Sequence, residues 1–226
     1  MPQISKAFLR ITAIEPQKKR KNRFNIYLDG QFAFGIDENA LVKNRLKVNC
    51  NLTNNQVDML IKETTLGKLT DLALRFLSYR QRSEKEIEVY LARKIAQKEN
   101  IRYSDAIQSP QVSAVLAKLR RYGYVNDTEF AKWYIASRRR SRPRGNRLLA
   151  QELKTKGVDQ DIIQTLLAAA TDEKKLAIAA LGKKIDKWSS LSALDLKKKV
   201  YQYLASRGFD FDTIKKAIRE RAYLVP

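Results

Sequence analysis

Near the N-terminus apolar residues alternate with polar ones in two short runs, Phe24, Ile26, Leu28 and then Phe32, Phe34, Ile36, on either side of Asp29-Gly30. A period of two is the spacing of a half-buried strand, and Asp-Gly supplies the positive φ angles of a type I′ turn, so the pair predicts a β-hairpin. Leu9, Ile11 and Ala13 extend the period upstream and add a third strand, giving a small β-meander. Lys18, Lys19, Arg20 and Lys21 fall in the loop between. Beyond the hairpin the period becomes helical. Asp37 can cap a short helix carrying Leu41, Val42 and Leu46, and Thr53 with Gln56 has the form of a capping box opening the next.

The rest of the chain reads as helices, and they repeat. Ser83 with Glu86 and Asn126 with Glu129 are further capping boxes. After Asn126, Phe130, Trp133, Tyr134 and Ser137 fall on one side of a helix. Pro143 fits the first position of the following helix and Gly157 its end, with Leu149 and Leu153 on one face and Arg144, Arg147, Gln151 and Lys154 on the opposite arc. Asp159 then caps a third helix that buries Ile162, Ile163, Leu166 and Leu167. Gly157-Val158-Asp159-Gln160-Asp161 recurs 51 residues later as Gly208-Phe209-Asp210-Phe211-Asp212. The same offset carries Phe130 to Leu181, Tyr134 to Ile185, Leu149 to Val200, Leu153 to Leu204, Ile163 to Ile214 and Leu167 to Ile218. Upstream, Ile87 and Leu91 match Leu149 and Leu153 at an offset of 62, whereas Val115 and Leu119 match Ile163 and Leu167 at 48. The difference is an insertion near residues 96–110. The expected fold is mainly α: tandem three-helix repeats stacked as a curved solenoid, behind a β-meander and short helices in 1–64, with repeats in 65–124, 125–170 and 171–226.

Charge adds a functional direction. Lys and Arg number 45 against 24 Asp and Glu, a net +21 in 226 residues. Residues 1–62 hold 11 basic and 5 acidic groups, 63–170 hold 21 and 12, and 171–226 hold 13 and 7, so the excess runs along the whole chain. That distribution suits an extended contact with a polyanion better than a basic tail would. It is densest between the first two helices of the middle repeat, where Arg138, Arg139, Arg140, Arg142, Arg144 and Arg147 crowd one turn. Pairing with Glu152 is one fate for them; the scarcity of acids and the fork geometry of guanidinium favour an external partner, with Lys154 on the same face. Lys18, Lys19, Arg20 and Lys21 form a secondary basic patch that either meets phosphates or faces water.

The chain has no histidine, which removes the commonest general base and transition-metal ligand. No phosphate-cradling glycine loop occurs. Asp159 with Asp161 and Asp210 with Asp212 resemble Mg²⁺ ligands, yet they stand at equivalent places before apolar helices, where an Asp caps free N–H groups. Trp133 and Tyr134 align with Phe130 and read as core rather than as stacking platforms. No enzyme, metal or cofactor is therefore expected. Cys50 stands alone, no apolar run is long enough to span a bilayer, and a cytoplasmic monomer without membrane contact is expected.

The segments Arg80–Lys94 (RQRSEKEIEVYLARK), Gly123–Arg138 (GYVNDTEFAKWYIASR) and Arg142–Ile163 (RPRGNRLLAQELKTKGVDQDII) resemble, in order, the bacterial RecX regulators of recombination. Gln81 departs from the pattern, where the family often has proline. The resemblance implies a non-enzymatic modulator that lodges in the helical groove of the RecA filament, close to its single-stranded DNA, and suppresses ATP hydrolysis, strand exchange and coprotease activity. Two alternatives remain: an autonomous DNA- or RNA-binding protein acting through phosphate contacts, and a Mg²⁺ nuclease running on carboxylates.

Overall fold

The structure, a computed structural model, describes residues 8–18, 20–169, 172–188 and 190–222. The expected repeat boundary between 170 and 171 lies outside the described residues. They form two compact units, one of residues up to 75 with 110–115, the other of 76–109 and 116 onward. In the first unit β1 (Leu9–Gln17), β2 (Arg20–Leu28), β3 (Gln31–Asp37) and β4 (Asn51–Leu52) make an antiparallel sheet in the order β3-β2-β1-β4. The expected three-stranded meander thus gains an edge strand. Two residues are too few to alternate, and β4 is held by long-range pairing: Leu9 faces Leu52, and the Ile11 N–H donates to Cys50 O at 2.8 Å.

Asp29 and Gly30 turn with φ of 48° and 85°, as Asp-Gly predicts. Past the turn, a register shift between Ile26 and Tyr27 inserts one residue and rotates Phe32 outward, 59% exposed and edge-on to Tyr27. Phe34 and Ile36 keep the inner face, with Ile11, Ile26 and Leu28. Asp37 caps α1 (Glu38–Lys43), accepting from the Ala40 N–H at 2.8 Å. The helix buries Ala40, with Leu41 packed against the same core, and leaves Val42 exposed; Leu46, expected on this helix, is buried beyond its end. Thr53 and Gln56 form a reciprocal capping box, at 2.8 and 3.2 Å, on α2 (Asn54–Ser78), which runs unbroken through the expected boundary at 64.

The remaining helices are α3 (Glu84–Glu99), α4 (Tyr103–Ile107), α5 (Pro110–Arg121), α6 (Asp127–Ser141), α7 (Asn146–Thr155), α8 (Gln160–Ala168), α9 (Glu173–Leu181), α10 (Ala193–Ser206) and α11 (Phe211–Ala222). Residues paired by the 51-residue offset share their fate: Phe130 and Leu181, Leu149 and Val200, Leu153 and Leu204, Ile163 and Ile214 are all buried, in two separate clusters. The additional segment near 96–110 holds the end of α3 and all of α4. Two helix ends differ from expectation. α7 starts at Asn146 with Gly145 as its cap: Pro143 and Arg144 are not helical, and the Gly145 N–H is taken by Arg207 O across the seam at 3.0 Å, with Gly145 itself extended (φ −72°, ψ 158°). α9 stops at Gly182, and 3-10 turns at Gly182–Lys184 and Asp186–Trp188 replace the last turns that its counterpart α6 retains.

Successive repeats are joined through their second helices, head to tail. α7 ends with Gly157 at φ 80°; Gly157 N–H donates to Lys154 O at 2.9 Å and Val158 N–H to Leu153 O at 3.1 Å. α10 ends the same way, with Gly208 and Phe209 donating to Ala205 O and Leu204 O at 3.0 and 3.2 Å. The carbonyl left over at each end is taken by the repeat before it. Lys156 O accepts the hydroxyl of Ser83, the cap of α3, at 2.7 Å, and Arg207 O accepts the N–H of Gly145, the cap of α7, at 3.0 Å. A first-turn acid on the next repeat completes each seam: Asp127 accepts from Glu84 N–H at 2.8 Å, and Glu173 from Asn146 N–H at 2.5 Å. Burial raises the pKa of both carboxyls, while the N–H each receives acts the other way.

Backbone contact at the second seam requires Gly145. Its φ of −72° suits any residue, but a Cβ there would lie 2.3 Å from Gly208 O. Gly145→Ala is therefore expected to cost about 2 kcal/mol through overpacking alone, measured as a shift of the urea midpoint at constant slope. A stability equal to wild type would show that the repeats do not meet here.

Candidate interaction surface: the arginine corner

The corner begins in the last turn of α6, where Arg138, Arg139 and Arg140 lie beside the helix's exposed carbonyls and complement its dipole. Arg142 (φ −149°, ψ 85°) leaves the helix, and the chain runs without helical structure to Gly145. The structure sorts the predicted arginines by partner. Glu152, on α7, receives Arg144 in a close ion pair, lies 3.7 Å from Arg138 Nε, and accepts the Tyr134 hydroxyl at 2.9 Å. Arg138 Nη2 donates to that hydroxyl at 2.9 Å, and its guanidinium lies 4.8 Å from the Tyr134 ring centroid. Arg139 donates to Asn146 Oδ1 at 3.0 Å and feels Glu173. Burial lowers Arg139 and Arg144 from the ordinary arginine value, Arg138 adding like charge at Arg144, yet a guanidinium remains cationic.

Arg144 therefore leaves the outward arc expected of it and is bound to Glu152, its side chain 18% exposed. The cause is the late start of α7, which frees Arg144 to fold back onto that helix. Arg140, Arg142, Arg147 and Lys154 are exposed. Arg147 reaches Ala205 O on α10 at 3.4 Å, a marginal contact. In the second basic patch Lys18 is exposed and Lys19 lies outside the described residues. Arg20 and Lys21 belong to β2 rather than to a loop.

A second charge cluster escaped the sequence reading. Arg80 holds Glu86 with two bonds of 3.0 Å, and Lys156 reaches the same carboxylate from the next repeat at 2.6 Å. The Ser83 to Glu86 spacing suggests a reciprocal box, but only Ser83 caps, and Glu86 turns to the two cations. The Lys156 ammonium also lies 5.3 Å from the Tyr134 ring, linking this cluster to the corner. Beyond the corner, Lys184, Lys187 and Arg207 of the third repeat border a cleft of about 400 Å³ together with Arg142. No local motif marks these residues, which meet only because α9 is short.

The paired aspartates behave as caps. Asp159 accepts from Asp161 N–H and Asp210 from Thr213 N–H, each at 2.8 Å. Among the described residues no three His, Cys, Asp or Glu side chains gather as a metal site, and no helix is long and apolar enough to cross a membrane. Phe130 and Tyr134 are core, with Trp133 packed against them.

Four family models match the chain in order: the regulatory protein RecX N-terminal domain over residues 9–53, and the first, second and third RecX three-helix domains over 71–99, 126–167 and 172–218. Among curated relatives, the chain is 34% identical over 217 residues to the regulatory protein RecX of Bacillus velezensis, covering 94% of this chain and 78% of that one. It is 31% identical over 214 residues to the Listeria monocytogenes protein of the same name, covering 94% and 76%. A crystal structure of regulatory protein RecX superposes with a TM-score of 0.69 at 26% identity, over 93% of this chain and 99% of that one. RecX from Lactobacillus salivarius gives 0.57 at 25%, over 70% and 97%.

Glu86 makes the charge network pH-dependent. Burial pushes its pKa up, but the bonds from Arg80 and Lys156 outweigh burial and hold it below the ordinary 4.5. A carboxyl depressed in the fold stabilises it above the unfolded pKa, and that gain is lost as pH falls through the folded value. The stability advantage of wild type over Glu86→Gln is thus expected to be full near neutral pH and to shrink below about pH 4.5, read by denaturation at stepped pH. An advantage that grows on acidification would contradict the network.

Proposed function

The chain belongs to the RecX family of regulatory proteins, and from that premise we propose that it binds the RecA filament on single-stranded DNA through its basic repeats and inhibits it. RecX proteins regulate RecA and are not enzymes, so contact itself must produce the effect. One observation carries the reading: the middle repeat occupies its Glu152 with Arg138 and Arg144 and still exposes Arg140, Arg142, Arg147 and Lys154. Those side chains fit the carboxylates and phosphates of a nucleoprotein. Arg138, Arg139 and Arg144 shape the surface from beneath, and Lys18, with Lys19, Arg20 and Lys21, adds a secondary contact. For this role the chain divides into an N-terminal domain to residue 64 and repeats from 65, 125 and 171, with α2 shared across the first boundary. Several seam-joined repeats acting on successive protomers restrain filament growth, ATP hydrolysis, strand exchange and coprotease activity together, in the cytoplasm, during recombination and repair.

The test is RecA ATPase on single-stranded DNA with substoichiometric protein. Wild type is expected to inhibit, and Arg140→Ala/Arg147→Ala/Lys154→Ala to need roughly tenfold more protein, equivalent to about 1.4 kcal/mol in total. Wild-type inhibition by the triple variant across a salt titration would remove this surface from the mechanism. The active species is expected to be a monomer, since its charge opposes self-association; a stable dimer in light scattering at micromolar concentration would contradict that.

A further inference from the structure

The two seams carry cations at equivalent positions but not the same counter-charge. At the first, Arg80 and Lys156 converge on Glu86, three residues past the Ser83 cap. Their counterparts at the second are Arg142, 62 residues after Arg80, and Arg207, 51 after Lys156. Three residues past the Gly145 cap, however, stands Leu148. The carboxylate is missing, and among the described residues none of Arg142, Lys184, Lys187 and Arg207 forms an ion pair.

At this seam lies the cleft of about 400 Å³, with no acidic residue in its lining. It exists because α9 stops at Gly182 and the chain continues through the two 3-10 turns, which carry Lys184 and Lys187, with Arg142 and Pro143 also in the lining. Arg207 lies 5.0 Å from the Tyr203 ring centroid, and the Tyr203 hydroxyl donates to Ala180 O at 3.1 Å, so one wall is fixed while the lysines opposite are exposed.

We propose that this cleft binds the phosphodiester backbone of a single nucleic-acid strand, which supplies from outside the negative charge that Glu86 supplies at the first seam. Four cations around so small a space call for closely spaced anions. A strand offers one charge at every nucleotide, whereas a peptide does so only where acids are adjacent. Arg207 covers the Tyr203 ring, so the site reads backbone and not bases. The inference deepens the filament-binding reading, but its test uses bare strand without recombinase, so either can fail alone.

Binding of the full chain to a labelled oligothymidylate, followed by fluorescence anisotropy through a salt series, decides it. Leu148→Glu restores the internal carboxylate and is expected to weaken binding roughly fivefold or more, with unchanged melting. Arg142→Ala/Lys184→Ala/Lys187→Ala is expected to weaken it about tenfold or more and to lower the salt slope by about two, since each phosphate contact on a single strand contributes about 0.7. Should Leu148→Glu fail to fold, the triple variant still decides. Wild-type affinity and slope in the folded variants overturn the proposal. So does a polyglutamate peptide that displaces the oligonucleotide at lower concentration than unlabelled strand, which assigns the cleft to an acidic protein segment.

Discussion

The head-to-tail meeting of second helices is the constraint on which the rest of the three-helix array depends. A helix end exposes up to four unpaired backbone groups, and burying them without partners is costly. Here the C-terminal carbonyl of one second helix accepts from the N-cap of the one before it, at Ser83 with Lys156 and at Gly145 with Arg207. Opposite dipole ends meet, and the acids Asp127 and Glu173 take a further N–H each. Such a junction fixes the relation of neighbouring repeats more tightly than apolar packing, which is non-directional.

The closeness of that junction explains both its glycines and its charge. Gly157 and Gly208 end their helices with positive φ, and each comes so near the preceding repeat that a Cβ would clash, with Lys85 in one case and Leu148 in the other. Cations at helix C-termini, Lys156 and Arg207, are brought against the N-terminal turn of the neighbour. Whether they are neutralised depends on one residue there, Glu86 or Leu148. The same logic operates within the middle repeat, where Glu152 binds Arg138 and Arg144 while Arg140 and Arg142 stay exposed. A chain of net charge +21 thus divides its cations into those that hold the fold and those left exposed.

The sheet unit obeys a different physics. Its core of Ile11, Ile26, Phe34, Ile36 and Leu52 is made by long-range strand pairing, and its register is adjusted by bulges beside Ile11 and Ile26. One inserted residue reverses the face of everything beyond it, which is how Phe32 comes to be exposed although it lies in step with Phe34.

Local pattern determined a large part of this protein. Capping residues at Asp37, Thr53, Ser83, Asn126, Asp159 and Asp210, helix-ending Gly157 and Gly208, the Asp29-Gly30 turn and the 51-residue repeat all act over a few bonds or through periodic burial, so they could be read without coordinates. Tertiary structure alone decided the pairing of β4 with β1, the outward turn of Phe32, the break at Gly182 and the partners of each arginine. Arg144 shows why. Its carboxylate partner is eight residues away and reachable only once α7 has started late, and the start of α7 is set by Gly145 touching Gly208 in another repeat. Charge composition announced a surplus of cations, but ion pairing acts through space, so which of them remain free is a property of the folded chain.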